Sequence, residues 1–269
     1  MSSADLLVST LDAGILTLTL NRPERGNAWS GALRRQYFAA LDAAANSPEV
    51  RAIIVTGAGA AFCIGGDPED VAEVAASGSV DAGQEQPYWF PCKVGKPLIA
   101  AINGACFGIG MQQALCCDLR FGSEDAKFST AYAKRGLVAE MGLSWLLPRL
   151  VGTGHAMDLL LSARLVRAPE ALAMGLVNSV VPAAELMPVA TGYARKLVES
   201  CSPAAMRAIK LQSALDQSAT LPEAYARART MLDAAVESTD FAEGVSSWRD
   251  GRPPRFAGLS PELGILDLD

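Results

Sequence analysis

The feature that most constrains this chain is the run from Lys96 to Asp118. After Pro97 come five apolar residues, Leu98 to Ile102, which predict a short strand buried on both faces. Asn103-Gly104 is turn chemistry. Beyond Gly108-Ile109-Gly110 the residues Met111, Gln112, Gln113, Ala114 and Leu115 favour a helix. A strand therefore enters a glycine-rich elbow, and the elbow opens into a helix. The first amides of such a helix lack internal acceptors and carry partial positive charge. The elbow can pack a helix tightly onto a strand, or it can bring main-chain N–H groups to an oxygen that gains negative charge. One G-x-G is too common a pattern to decide between these uses.

A second stretch repeats the design. Ala52-Ile53-Ile54-Val55-Thr56-Gly57 predicts another buried strand, and it runs into Phe62-Cys63-Ile64-Gly65-Gly66-Asp67-Pro68-Glu69-Asp70, again glycines before a helix start. Taken alone, Asp67 reads as a carboxylate that caps the following helix.

Composition limits the remaining possibilities. The chain has 269 residues, half of them hydrophobic, enough for one large domain or a domain with a small extension. A formal charge of −6, a pI near 5.0 and the lack of a basic block exclude a nucleic-acid partner. The six cysteines show no C-x-x-C pairing, and with one histidine, His155, no metal site is expected. Reduced thiols in apolar surroundings are expected instead. Met1 to Asp5 lacks a basic region and an apolar core, and no run is long enough to span a bilayer, so the expected location is cytoplasmic.

Hydrophobic spacing predicts a strand over 15–20, a helix over 30–45 capped by Ser30, strands near 119–123 and 127–129, and a helix over 141–151 broken at Gly152-Thr153-Gly154. A helix over 155–162, a short helix over 169–174 and a strand over 176–181 follow. From Ala183 onward only helices are predicted. The stretch 71–93 reads as a long irregular loop ending in Tyr88-Trp89-Phe90, three aromatics that suit a pocket lining, a subunit contact or the core.

Several pieces in this order resemble the crotonase superfamily, the enoyl-CoA hydratase/isomerase family. They are Leu20-Asn21-Arg22-Pro23, the Phe62 to Asp67 elbow, Lys96-Pro97 with Asn103-Gly104, Gly108-x-Gly110, Cys117-Asp118, and Gly175-Leu176-Val177 followed by Val181-Pro182. The resemblance implies an α/β fold, a spiral of repeated strand-strand-helix turns over residues 1–182. It also implies a helical trimerisation region over 183–269, in a homotrimer or a dimer of trimers. It implies an acyl-CoA thioester as substrate and no separate cofactor. It places the adenine end of CoA near Arg25, Gly26 and Ala28, and the thioester among Gly65, Gly66, Asp67 and Gly108.

The resemblance also assigns roles. Two main-chain amides, taken to be those of Ile64 and Ile109, would hold the oxygen of a thioester enolate. Each such donor supplies roughly a hundred- to a thousandfold in rate. Typical hydratases of the family manage one water with two glutamates, and here those positions are Gln112 and Tyr132. Gln112 cannot take a proton at neutral pH. Glu140, after Ala139, stands where isomerase branches keep their acid, so isomerase-type proton transfer is expected. Hydration by a Gln112/Glu140 pair, lyase or decarboxylase chemistry, and a non-catalytic acyl-CoA binder stand as alternatives. From the residues alone, Glu140 equally fits the first turn of a helix, and His155 reads as a surface residue.

Overall fold

The computed structural model describes residues 5–79 and 86–268. The reading of the amino terminus as free of a leader concerns residues 1–4, and part of the irregular loop concerns residues 80–85; both lie outside the described residues.

Strands β1 (Leu7–Asp12) and β2 (Ile15–Leu20) form an antiparallel hairpin. Its two turn residues, Ala13 and Gly14, are both left-handed, with φ of 46° and 81°, as a tight hairpin turn requires. Next come α1 (Gly31–Asn46), β3 (Ala52–Gly57), β4 (Ala61–Cys63), α2 (Pro68–Ser77), β5 (Leu98–Ile102), β6 (Ala105–Phe107), α3 (Ile109–Leu115), β7 (Leu119–Ser123), β8 (Lys127–Ser129) and α4 (Leu143–Ser162). The chain continues through β9 (Val166–Arg167), α5 (Ala168–Ala173), β10 (Ser179–Val181), α6 (Leu186–Ser200), α7 (Pro203–Asp216), α8 (Leu221–Val236) and α9 (Thr239–Asp250).

The strands form two sheets. One has the order β1-β2-β3-β5-β7-β10, parallel from β2 onward; the other has the order β4-β6-β8-β9. Each pass of the chain lays one strand in the large sheet, one in the small sheet, and then a helix: β3-β4-α2, β5-β6-α3, and β7-β8 leading to α4. This is the strand-strand-helix spiral. Every residue of β5 is buried, because α1 and its neighbours cover one face and α6 covers the other. Leu33, Tyr37, Phe38 and Leu41 supply the buried stripe of α1, and Ser30 caps it by accepting from the N–H of Leu33 at 3.3 Å.

Polar side chains stitch successive passes together. Asn103 accepts from the N–H of Gly57 at 3.2 Å and donates to the carbonyl of Gly59 at 2.9 Å. Lys96 donates from Nζ to the carbonyls of Ala44 and Ser47, at 2.6 and 2.5 Å, closing the carboxyl end of α1.

Two expectations change. The stretch read as irregular begins as a helix: α2 runs to Ser77, with Gly78 left-handed as its C-cap. The strand read over 176–181 is confined to Ser179–Val181. The helix break expected at Gly152 is present: at φ 77° and ψ 158° it is non-helical, and α4 kinks there. Among the described residues no helix is long and apolar enough to cross a membrane, and no cluster of potential metal ligands occurs.

Candidate active site

The two elbows meet. A methyl group on Gly65 would lie 3.3 Å from the carbonyl oxygen of Phe107, and one on Gly108 would lie 3.8 Å from the Cα of Gly65. One on Gly110 would lie 2.4 Å from the carbonyl oxygen of Cys63, so α3 can start here only because that residue is glycine.

The amide of Ile109 is the first of α3 and has no acceptor among the described residues, as expected of that position. The amide of Ile64 is different. It donates to the carbonyl of Gly26 at 3.1 Å and is not free for a substrate oxygen. Trp29 pairs around Gly66, its N–H donating to the Gly65 carbonyl at 2.7 Å and its carbonyl accepting from the N–H of Asp67 at 3.0 Å. In that register the N–H of Gly66 itself points away from Trp29, and it has no acceptor among the described residues. The open amides of the first elbow are therefore those of Gly66 and of Gly65, which likewise has no acceptor among the described residues, a correction to Ile64. The side chain of Ile64 packs over Gly26 instead.

Asp67 caps α2, accepting from the N–H of Glu69 at 3.1 Å, and meets Arg22 at 2.8 Å and Arg25 at 3.2 Å. Burial pushes this carboxyl up, but the Glu69 N–H and the two guanidiniums outweigh burial and hold it below its ordinary value. Its charge is thus spent on the fold. Arg25 also meets Glu69 at 3.0 Å, and Arg22 donates to the carbonyl of Ala28 at 2.7 Å. Gly26 and Asn27 are both left-handed, so Arg25, Gly26 and Ala28 form one tight turn against the first elbow.

Gln112 is fully buried on α3. Its Nε2 donates to the Tyr88 carbonyl and to Cys116 Sγ, both at 3.3 Å, and its Oε1 accepts from Gln113 at 2.6 Å. Every polar atom of the amide is engaged with protein. Tyr132 is 5% exposed, and its hydroxyl is buried without a hydrogen-bond partner among the described residues. Its ring reaches Gly108, about 4.0 Å from where a methyl there would sit. Burial and, next, the nearby Glu140 carboxylate raise its pKa well above 10.

Glu140 is half-buried in the turn before α4, not in the first turn of the helix. Its carbonyl accepts from the N–H of Leu143 at 3.1 Å, and Met141 and Gly142 are left-handed. Among the described residues its carboxylate has no cation or donor, and burial alone raises its pKa. Ala139 beside it is half-buried. The structure thus brings together Gly65, Gly66, Gly108, Ile109, Tyr132 and Glu140, and places Gln112 behind the second elbow. His155 is exposed within α4.

Sequence reasoning left the three aromatics open. Phe90 is core, Trp89 faces outward under Lys93, and Tyr88 is half-buried, its carbonyl receiving both glutamines and its hydroxyl receiving Arg34 at 3.2 Å. Gln113 as a partner of Tyr88 was missed; the paired glutamines in an otherwise apolar helix were the available signal.

A family model described as enoyl-CoA hydratase/isomerase matches residues 10–259. The chain belongs to the enoyl-CoA hydratase/isomerase family. Among the relatives of this family member is a probable enoyl-CoA hydratase of Rhodobacter capsulatus, 35% identical over 92% of this chain and 96% of its own length. Another is the 1,2-epoxyphenylacetyl-CoA isomerase of Escherichia coli, 32% identical over 94% of this chain and 99% of its own. A probable enoyl-CoA hydratase/isomerase from Mycobacterium abscessus superposes with a TM-score of 0.86 at 32% identity, over 94% of this chain and 99% of that one. The crotonase fold and acyl-CoA chemistry of the hydratase/isomerase type follow for this chain.

Proposed function

We propose that this family member is an enoyl-CoA isomerase-type enzyme. The thioester carbonyl lies between the amides of Gly66 and Ile109. Glu140 takes a proton from the carbon next to the thioester, the amides hold the resulting enolate oxygen, and the protonated Glu140 returns the proton two carbons further along. The double bond moves into conjugation with the thioester, and no atom is gained or lost.

The observation that carries this reading is the state of Gln112. It stands at one hydratase glutamate position with all its polar atoms committed, and Tyr132 stands at the other, which leaves Glu140 as the acid beside the convergent elbows. That arrangement suits one proton shuttled by one carboxylate better than a water held by two. A relative named as an isomerase supports the reading. The CoA moiety is expected along the Arg25, Gly26 and Ala28 turn, and self-association through the apolar faces of α7, α8 and α9, where Trp248 is 82% exposed, belongs to the same proposal.

The test is Glu140→Gln assayed with a 3-enoyl-CoA. Turnover should fall by about a hundredfold or more, with acyl-CoA affinity retained by calorimetry; undiminished turnover overturns the mechanism. Hydration is the second reading, favoured by relatives such as the 2,3-dehydroadipyl-CoA hydratase of Escherichia coli, 31% identical over 95% of this chain. Loss of the conjugated absorbance of crotonyl-CoA on adding enzyme would establish it. A non-catalytic binder would show neither reaction and no exchange of the thioester's neighbouring protons with solvent.

A further inference from the structure

Behind the second elbow lies a group of thiols that the mechanism does not use. Cys92 sits in the single turn Phe90–Lys93, and Cys116 is the C-cap of α3. Cys92 Sγ donates to the Cys116 carbonyl oxygen at 3.9 Å, which brings the two residues together. Cys92 is half-buried, whereas Cys116 is 5% exposed. Gln112 donates from Nε2 to Cys116 Sγ, and Lys210, held on Asp118 at 2.7 Å, brings a cation near Cys92.

These partners sort the thiols. The neighbouring Cys116 lowers the pKa of Cys92, burial opposes that, and Lys210 adds to the lowering while its partner Asp118 works against it. Burial raises Cys63, to about 12, and likewise Cys106 and Cys117; for Cys116 the contact with Cys92 raises it first and burial adds. The pair therefore couples a partly accessible thiol to a buried neighbour, the division of labour between an attacking and a resolving cysteine.

We propose that Cys92 and Cys116 form an oxidation-responsive pair that a hydroperoxide closes to a disulfide. The Cys92 thiolate attacks the peroxide O–O bond, is oxidised by two electrons to the sulfenic acid, and releases water or an alcohol. Cys116 sulfur then attacks the sulfenyl sulfur, its proton leaves with the hydroxyl as water, and the S–S bond forms. The cross-link ties the Phe90–Lys93 turn to the end of α3 and reaches Gln112, the residue behind the candidate active site. The pairing itself does not depend on which reaction the enzyme catalyses.

The test treats the full-length protein with a few equivalents of hydrogen peroxide, then counts free thiols and maps peptides without reduction. Two of the six thiols should disappear, with a mass loss of two hydrogens, a peptide linking Cys92 to Cys116, and full reversal by dithiothreitol. Cys92→Ser should retain all five remaining thiols, while Cys201→Ser, altered at a half-buried thiol elsewhere, should still form the link. Six surviving thiols, Cys92 recovered as its sulfinic acid beside a free Cys116, or the loss of two thiols in Cys92→Ser under the same treatment would each overturn the proposal. Cys92 is half-buried and its replacement by serine is nearly isosteric, so the variant keeps the fold and reads the pairing alone.

Discussion

Gly110→Ala tests whether the two elbows must touch for turnover. A methyl there would sit 2.4 Å from the Cys63 carbonyl oxygen, 2.7 Å from Cys63 Cβ and 2.9 Å from its Sγ. Ordinary contact begins near 3.4 Å, so 3.4 − 2.4 requires the elbows to part by about 1 Å. The atoms it meets include backbone, which cannot swing aside as a long side chain would. Overpacking of this kind costs about 1–3 kcal/mol, and for a chain of this size each kcal/mol lowers Tm by about 2–4 °C. The larger effect is geometric. The amide of Ile109 precedes Gly110 directly, so it moves relative to Gly66, and a 1 Å misplacement of catalytic groups costs about a hundredfold in rate. The assay follows 3-enoyl-CoA isomerisation by the gain of conjugated absorbance, with calorimetry for acyl-CoA binding and a melting curve on the same sample. Gly192→Ala in α6, where a methyl meets nothing within 4 Å, is the control and should leave rate and binding unchanged. A cooperatively folded Gly110→Ala protein with full turnover would refute the claim that these amides work as a pair.

Three further outcomes follow from the same geometry. A base works ionised and burial holds Glu140 above its ordinary 4.5, so kcat/KM should fall on the acid side with a midpoint above 4.5, and a profile flat down to that pH contradicts the role. Gln112→Glu puts oxygen where nitrogen now donates to the Tyr88 carbonyl and Cys116; it should cost about 2 kcal/mol by denaturant titration and confer no crotonyl-CoA hydration. Asp67→Ala removes a cap and the partner of Arg22 and Arg25, for a loss of about 3 kcal/mol at pH 7. The folded pKa of Asp67 lies below its ordinary 3.8, so its stabilisation is present above pH 3.8 and fades as pH falls through the lower value. The gap between wild type and variant should therefore close in strong acid.

The parts of this fold legible from sequence are those where one physical demand dominates. The all-apolar runs of β3 and β5 have no reason to exist except burial on two faces, and Asp67-Pro68 announces a capped helix whatever surrounds it. The spiral repeat was invisible because each pass repeats a geometry, not a residue pattern. The end of α2 was misread because none of its residues is buried: Ala75-Ala76-Ser77-Gly78 looks like linker when no apolar stripe marks a face, although Gly78 served as its C-cap. The choice between Ile64 and Gly66 was beyond sequence. Simple alternation along an extended elbow would point the N–H groups of Ile64 and Gly66 to one side; Gly65, at φ 104°, interrupts it, and only the pairing of Trp29 around Gly66 and of Ile64 with Gly26 fixes which amide is open. Glu140 was located by the acid itself, but its place in a left-handed turn ahead of α4 depends on Met141 and Gly142.

That turn bears on why the acid is there at all. A half-buried carboxylate with no cation or donor destabilises its ionised form, as its raised pKa records, and a buried hydroxyl without a partner at Tyr132 adds a second cost nearby. Met141, a non-glycine residue at φ 56°, adds backbone strain one position away. The fold could relieve all three by turning Glu140 to solvent, since the preceding residues 133–138 are already exposed. Other buried charges of the same chain are settled: Asp67 has two arginines and an amide, and Lys96 has two carbonyls. At Glu140 and Tyr132 these unsatisfied groups lie beside the elbows whose amides are open, and a negative oxygen between those amides with a transferable proton beside Glu140 would satisfy that shortfall during a reaction.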